Sequence, residues 1–153
     1  MRPASAGRKL ARLGCAALSA IAFGAAACGQ SGADAPVPVP LDRVACARCG
    51  MLVGDLAFAG ELRTRSGEVL FYDDPGCLLL HAEERAPEVA AIWFHAHDAE
   101  RWLSADEVAF SPVGSSPMGY GLAARAPGPG ALDRATALAF AREREAERRK
   151  DAP

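Results

Sequence analysis

The first 27 residues carry the pattern of an export leader, which leaves only the rest of the chain to fold. Four basic residues and no acidic residue precede an apolar, alanine-rich run from Leu13 to Ala27. This run is short for a transmembrane span and is typical of a signal peptide. It ends at AAAC, residues 25–28, where small residues before a cysteine are similar to a bacterial lipobox. We predict a lipoprotein signal peptide over residues 1–27 and lipidation at Cys28, with cleavage at an Ala-x-Ala site as the alternative.

Residues 28–43 predict a lipid anchor followed by a flexible linker. Glycine, serine and proline are frequent in GQSGADAPVPVP, residues 29–40, and such composition gives flexible or extended tethers. Four of the 17 basic residues lie in the leader and all 19 acidic residues follow it, so the remaining chain has a net charge of −6. An acidic protein is a poor partner for nucleic acid or for anionic lipid surfaces.

The string CARCGM places three sulfur atoms within six residues, at Cys46, Cys49 and Met51. Thiolates and thioethers are soft ligands that select Cu(I), zinc or iron–sulfur chemistry. Methionine is not a usual zinc ligand, so this mixed cluster predicts a Cu(I) site. The alternative is a disulfide or redox pair of Cys46 and Cys49, with Met51 as packing. Cys77 makes the number of cysteines after Cys28 odd, which leaves at least one thiol unpaired.

The pattern of apolar and turn residues predicts an α+β fold of two small ββαβ-type modules. In the first module, strands over 56–64 and 69–72 form a hairpin, a helix runs from Pro75 to about Arg85, and a strand covers 90–97. The sequence DDP at 73–75 is a strong helix start. In the second module, strands over 108–110 and 118–125 precede a helix over 131–149. The absence of a final strand suggests that this module is truncated.

Several other polar residues could add metal ligands, but each also has a structural explanation. Cys77 and His81 share one helix face, and His95 and His97 share one side of a strand. For the first pair we favour a buried cysteine with a half-exposed histidine. For the second pair we favour a solvent-facing strand edge. The two aspartates at 73–74 are expected to cap the helix. The sequence has no nucleophile–base pattern, phosphate loop or dinucleotide fingerprint, so we do not expect an enzyme.

Three strings together resemble the NosL family: CGM at 49–51, FAGELRTRSGEVLFYDDPGCL at 58–78, and SPMGYGLAA at 116–124. The resemblance implies a periplasm-facing lipoprotein that carries Cu(I) and helps to mature the copper sites of nitrous oxide reductase. It also implies two small ββαβ modules and copper ligands at Cys49 and Met118, with Met51 as a third. Many relatives lack a cysteine at the position of Cys46, so a Cys46/Cys49 pair is an alternative ligand set.

We therefore expect a signal peptide at 1–27, an anchor and linker at 28–43, a copper-binding domain at 44–146 and a polar, solvated tail at 147–153. The metal ligands are expected among Cys46, Cys49, Met51 and Met118. The expected function is delivery of Cu(I) to a periplasmic copper enzyme such as nitrous oxide reductase, together with membrane transport partners. The alternatives are a thiol–disulfide oxidoreductase using the CxxC pair, and a structural zinc module of Cys46, Cys49, Cys77 and a histidine.

Overall fold

The computed structural model describes residues 35–151, so the predicted leader and Cys28 lie outside the described residues. Within them the chain forms six strands and two helices. In chain order they are β1 Gly60–Thr64, β2 Val69–Tyr72, α1 Pro75–Glu84, β3 Val89–His95, β4 Trp102–Ser104, β5 Ala109–Pro112, β6 Leu122–Arg125 and α2 Arg134–Asp151. None of the helices in this part of the chain is long and apolar enough to cross a membrane.

The strands form two antiparallel sheets. The larger sheet has the order β2-β1-β3-β4, and β5 pairs with β6 in the smaller one. Leu62 at the centre of β1 lies opposite Leu70 of β2 and Ile92 of β3. The elements β1, β2, α1 and β3 make the predicted ββαβ unit, and β5, β6 and α2 make a second unit that has no final strand among the described residues. The predicted α+β class is confirmed.

The predicted hairpin and helix start both follow from local chemistry. Gly67 lies in the turn between β1 and β2 with φ +89°, a conformation that glycine adopts at little cost. Asp74 is the N-cap of α1, its side chain accepts a hydrogen bond from Gly76 N, and Pro75 follows as the first helical residue. Proline fits there because its missing N–H would have no helical partner. The helix ends at Glu84, next to the predicted boundary.

The strand boundaries differ from the prediction at three places. Leu56–Phe58 form a 3-10 turn instead of the first part of β1, because the Asp55 side chain accepts a hydrogen bond from Ala57 N. The strand predicted from residue 118 begins only at Leu122, since Gly119 and Gly121 have φ of +71° and +67°. The short strand β4, which pairs with the outer edge of β3, was not predicted.

Helix α2 begins later and ends later than predicted. Asp133 accepts a hydrogen bond from Thr136 N and so caps the helix start. The helix then continues to Asp151, so residues 147–151 of the predicted polar tail are helical.

The core lies between the inner face of the large sheet, the small sheet and the two helices. Phe94 of β3 meets Phe110 of β5 edge to face, with ring centroids 5.1 Å apart. Burial of each such large side chain contributes about 2 kcal/mol relative to exposure. On α2, Ala137 and Ala141 are fully buried, and α1 packs against this helix. The largest fully buried side chains include Leu62, Tyr72, Leu78, Phe94, Phe110, Tyr120 and Leu122.

On the outer face of the large sheet, a buried ion pair holds the start of the described chain. Glu61 is fully buried, and its Oε1 lies 2.8 Å from a guanidinium nitrogen of Arg63. Glu61 Oε2 accepts a hydrogen bond from Val37 N at 2.7 Å, and Arg63 donates to the Ala35 carbonyl at 3.0 Å. The guanidinium also lies 5.0 Å above the Trp93 ring. Residues 35–37, which belong to the predicted flexible linker, are therefore bonded to the folded part.

Candidate metal centre

Three cysteines from two separate segments meet at one point. The Sγ atoms of Cys46, Cys49 and Cys77 all lie within 4.8 Å of one another. Cys46 and Cys77 are buried, at 2% and 0% exposure, and Cys49 is half-buried. The fold thus joins the CxxC loop to the first turn of α1.

A tight turn brings the two cysteines of the CxxC loop together. Cys46 N donates to the Met51 carbonyl at 2.7 Å, and Gly50 N donates back to the Cys46 carbonyl at 2.9 Å. Gly50 has φ +78° and no neighbouring atom near its missing Cβ. A further hydrogen bond from Ala47 N to the Phe71 carbonyl, 2.9 Å long, fixes the loop to β2. The loop geometry therefore places both thiols toward α1.

Cys77 reaches the cluster because α1 begins directly beside it. The N-cap Asp74 precedes it by three residues, so the thiol lies within the first helical turn. The preceding Gly76 packs against Tyr120, and a Cβ built on Gly76 would lie only 2.2 Å from Tyr120 Cγ. Glycine at this position therefore lets the aromatic ring close over the helix start.

The three thiols differ in their ease of ionisation. A hydrogen bond from Cys77, supported by backbone N–H donors, holds the pKa of Cys46 well below its usual range. The same hydrogen bond and burial raise the pKa of Cys77, while burial raises the pKa of Cys49. Cys46 is thus the first of the three to form the thiolate that binds metal. A metal that takes all three sulfurs must displace the remaining protons.

The dimensions of the cluster fit one metal ion bound by three sulfurs. With metal–sulfur bonds of about 2.3 Å, a trigonal ion holds its three sulfur ligands about 4.0 Å apart. No two of the three Sγ atoms are more than 4.8 Å apart, which is close to that spacing. Within residues 35–151, no histidine or carboxylate joins this group of ligand atoms.

Met118 lies in a loop that is attached to the start of α1. Its backbone N–H donates to Asp74 Oδ2 at 3.0 Å, and the same oxygen accepts a 2.6 Å hydrogen bond from Ser116 Oγ. Met118 is half-buried and packs against the core. Met51 is 58% exposed, and its carbonyl closes the CxxC turn. The two predicted methionine ligands therefore lie in different settings, one packed against the core and one at the surface.

Arg48, between the two loop cysteines, ties the CxxC loop to the Met118 loop and to both helices. Its guanidinium donates to Tyr120 Oη at 3.1 Å and to Glu84 of α1 at 2.9 Å, and lies 3.7 Å from Glu145 of α2. Tyr120 Oη in turn donates to Glu145 at 2.6 Å. These contacts hold the CxxC loop against both helices with charge-assisted hydrogen bonds, which are stronger than neutral ones.

The end of α2 takes part in the same network. Arg148 donates to the Met118 carbonyl at 2.5 Å, and its guanidinium lies 4.3 Å from the Tyr120 ring centroid. The sequence analysis assigned this end to a solvated tail, and for Arg148 that prediction is wrong. A charged run gives no sign of which member will meet a carbonyl and an aromatic face of a distant loop.

The histidines lie outside the cysteine cluster. His81 Nδ1 is 2.9 Å from Tyr72 Oη, and the half-exposed position predicted for it is confirmed. His95 is buried at 7% exposure, because Trp102 of the unpredicted strand β4 packs against its ring at 5.4 Å. The prediction of a solvent-facing edge is therefore wrong for His95. His97 is exposed and packs its ring against Phe58 at 4.7 Å.

Cys77 is the member of the cluster that the predicted ligand set omitted. The sequence analysis favoured a buried structural cysteine and considered Cys77 as a ligand only in a pair with His81 or in the zinc alternative. The available signal was the odd number of cysteines, which leaves one thiol without a disulfide partner. The distance between the segments could not be read from the sequence, because it depends on how β2 aligns with the loop.

One solved structure is similar to this chain. No family model matches the chain, and no curated protein matches it. The crystal structure of the copper chaperone NosL from Shewanella denitrificans is similar, with a TM-score of 0.49 and 20% identity over 71% of this chain and 87% of that chain. This neighbour carries the name of the family that the sequence motifs resemble. Because the TM-score is below 0.5, we base the function on the side chains of this chain.

Proposed function

We propose that this chain is a Cu(I)-binding carrier that holds copper with Cys46, Cys49 and Cys77. The observation that supports this proposal is the meeting of the three Sγ atoms within 4.8 Å. Sulfur ligands prefer Cu(I) and other soft ions to hard cations such as magnesium and calcium. The copper is the cargo, and the protein supplies a buried, sulfur-lined site for it.

The composition of the cluster favours Cu(I) over structural zinc. Structural zinc sites are almost always closed by four ligands, usually Cys₄, Cys₃His or Cys₂His₂. Among the described residues the cluster has three thiols, and no histidine joins them. His81, the histidine on the same helix face as Cys77, is instead hydrogen-bonded to the hydroxyl of Tyr72. The four-ligand zinc module therefore lacks its histidine, whereas a low-coordinate Cu(I) needs none.

We propose that Met118 adds a soft ligand to the bound copper and that Met51 serves in exchange of the metal. Met118 is attached to the start of α1, which carries Cys77, through Asp74, and it is half-buried, so we assign its thioether as the added ligand. Met51 is exposed in the same loop as Cys46 and Cys49, so it is suited to meet an incoming or departing copper ion. Thioethers bind without releasing a proton, which makes them suitable transient ligands.

The proposal extends to location and partners. We infer that lipidated Cys28 anchors the protein to a membrane, facing the periplasm or the cell exterior. There it would receive Cu(I) from membrane transport partners and pass it to a periplasmic copper enzyme, with nitrous oxide reductase as the first candidate. The support is the leader pattern and the NosL-like motifs in the sequence. In this role the protein is a carrier and catalyses no reaction.

A metal competition experiment tests the binding site. The background chain carries Cys15→Ser and Cys28→Ser. Of the five cysteines in the sequence, it then keeps only the three of the cluster. The reduced protein competes with a chromophoric Cu(I) chelator, and a parallel series uses Zn(II). We expect one Cu(I) per chain, a lower affinity in Cys77→Ser, and loss of tight binding in Cys46→Ser/Cys49→Ser.

The matched control for these variants is Ser115→Ala, an exposed position, which should leave copper affinity unchanged. Full Cu(I) affinity in Cys46→Ser/Cys49→Ser would contradict the proposed site. Tight zinc binding with weak copper binding would favour a zinc module. Absence of metal binding together with catalysed disulfide reduction would favour the oxidoreductase.

Two further measurements test location and delivery. Cys28→Ala should move the otherwise native chain from the membrane fraction to the soluble extracytoplasmic fraction. The copper-loaded C15S/C28S chain should restore activity to copper-free nitrous oxide reductase faster than an equal concentration of chelator-buffered Cu(I). Membrane association that persists without Cys28 would contradict the lipid anchor, and equal rates of activation would contradict direct delivery to this acceptor.

A further inference from the structure

Asp74 is a fully buried carboxylate that links the helix carrying Cys77 to the Met118 loop. Its Oδ1 accepts a hydrogen bond from Gly76 N at 2.8 Å and so caps α1 three residues before Cys77. Its Oδ2 accepts hydrogen bonds from Ser116 Oγ at 2.6 Å and from Met118 N at 3.0 Å. One side chain therefore fixes both the helix that carries a thiol and the loop that carries a thioether.

Helix capping alone does not explain the hydrogen bonds of the second carboxylate oxygen of Asp74. Serine, threonine, asparagine and aspartate all cap helices, and a single side-chain oxygen is enough. In Asp74 the capping oxygen is Oδ1. The hydrogen bonds that Oδ2 accepts come from the Met118 loop. The loop has further ties, since Ser116 Oγ accepts a hydrogen bond from Gly121 N at 2.9 Å. Hydrogen bonds to a buried carboxylate are stronger than those between neutral groups, which favours one fixed position for Met118.

We propose that Asp74 is a positioning residue that holds Met118 for Cu(I) and thereby sets the preference of the site for Cu(I) over Zn(II). This inference rests on the proposed copper site. Cu(I) takes thioether sulfur readily, whereas Zn(II) rarely does. A change that displaces Met118 but leaves the three thiols in place should weaken the binding of Cu(I) and not that of Zn(II).

The variant Asp74→Asn isolates the contact with Met118. Asparagine has the same shape, and its oxygen can still cap Gly76 N. Its amide nitrogen then faces the N–H of Met118, and two donors cannot pair. The loss of negative charge near Cys77 acts on the binding of both metals, so the ratio of the two affinities is the decisive readout.

The experiment measures Cu(I) and Zn(II) dissociation constants for the reduced C15S/C28S chain and its variants by chelator competition. We expect Asp74→Asn to raise the Cu(I) dissociation constant by about 10-fold or more, as is typical when a residue that orients a ligand is removed. The Zn(II) constant should change much less. In a Met118→Leu background, Asp74→Asn should have no further effect on Cu(I). The matched control is Asp133→Asn at the exposed cap of α2, which should leave both constants unchanged.

Asp74→Ser provides a second test in case the asparagine variant does not fold. Serine still caps the helix but is too short to reach the loop, so it should show the same selective loss of Cu(I) affinity. Equal losses for both metals, a loss of Cu(I) affinity that persists in Met118→Leu, or failure of both variants to fold would overturn the positioning role. Absence of Cu(I) binding by the unmodified site would instead overturn the proposed function itself.

Discussion

Replacement of Gly76 by alanine tests how tightly Tyr120 closes over the start of α1. In an exposed helix this change would stabilise the protein by about 1 kcal/mol, because alanine has the better helix propensity. Here the new Cβ would lie 2.2, 2.5 and 2.6 Å from Tyr120 Cγ, Cδ2 and Cβ. The ring is fully buried, and its hydroxyl is held by Glu145 and Arg48, so it cannot move freely.

The expected magnitude follows from these opposing effects. Overpacking in a well-packed core costs about 1–3 kcal/mol and sometimes more, and contact with the rigid ring puts Gly76→Ala at the upper end, about 3 kcal/mol. After the gain of about 1 kcal/mol in helix propensity, we expect a net loss of about 2 kcal/mol. For a domain of this size that loss corresponds to a decrease in Tm of about 8 °C.

The assay is urea and thermal unfolding of the reduced, metal-free chain, followed by far-UV circular dichroism. Gly114→Ala is the matched control, because no atom lies within 4 Å of the Cβ that it would add. That substitution should be neutral or stabilise the chain by up to about 1 kcal/mol. If Gly76→Ala were as stable as Gly114→Ala, the close packing of Tyr120 on α1 would be refuted.

Three further predictions concern the charged contacts of the domain. Glu61→Ala should destabilise the fold by about 3–5 kcal/mol in urea unfolding, because it breaks a buried ion pair, and it should expose the chain near residue 35 to proteolysis; unchanged stability would contradict this. A hydrogen bond from Tyr120 lowers the pKa of Glu145 from 4.5 to about 2, so the stability that this carboxylate contributes is present above pH 4.5 and is lost as the pH falls toward 2. Glu145→Gln should flatten stability over that pH range, and an unaltered acid profile would argue against it. Arg48→Met should weaken Cu(I) binding at the C15S/C28S site while all three thiols remain, and unaltered affinity would show that the network does not hold the CxxC loop.

The sequence predicts the elements whose signals are local. The hairpin follows from alternation around Gly67, and α1 follows from the order of Asp74 and Pro75, because each of these features acts on its own backbone. The strand β4 was missed because its three residues are stabilised by pairing with β3 rather than by their own pattern. His95 was misplaced for the same reason, since the residue that buries it is Trp102 on that strand.

Only half of the candidate metal centre was predictable from the sequence. Cys46 and Cys49 stand out because they are close in the sequence, and the turn at Gly50 brings their thiols together. Cys77 joins them only because the loop bonds to β2 at Phe71 and the helix begins directly after that strand. This proximity is a tertiary property, so it has no signature in spacing. Arg148 is a similar case, because its partners belong to a loop far away in the sequence.

The exposures of the proposed sulfur ligands predict an order for copper release. Cys46 and Cys77 are buried, and their thiols are hydrogen-bonded to each other. Cys49 is half-buried, and Met51 is 58% exposed. Within the described residues, the side of Cys49 and Met51 is therefore the more accessible one for an acceptor ligand. The Cu–Cys49 bond should exchange first, leaving copper on the Cys46–Cys77 pair until a second acceptor ligand arrives. Cys49→Ser should accordingly speed up transfer of copper to a competing chelator more than Cys77→Ser does, when each variant is loaded with the same fraction of Cu(I). Faster transfer from Cys77→Ser would place the exit on the buried side and contradict this order.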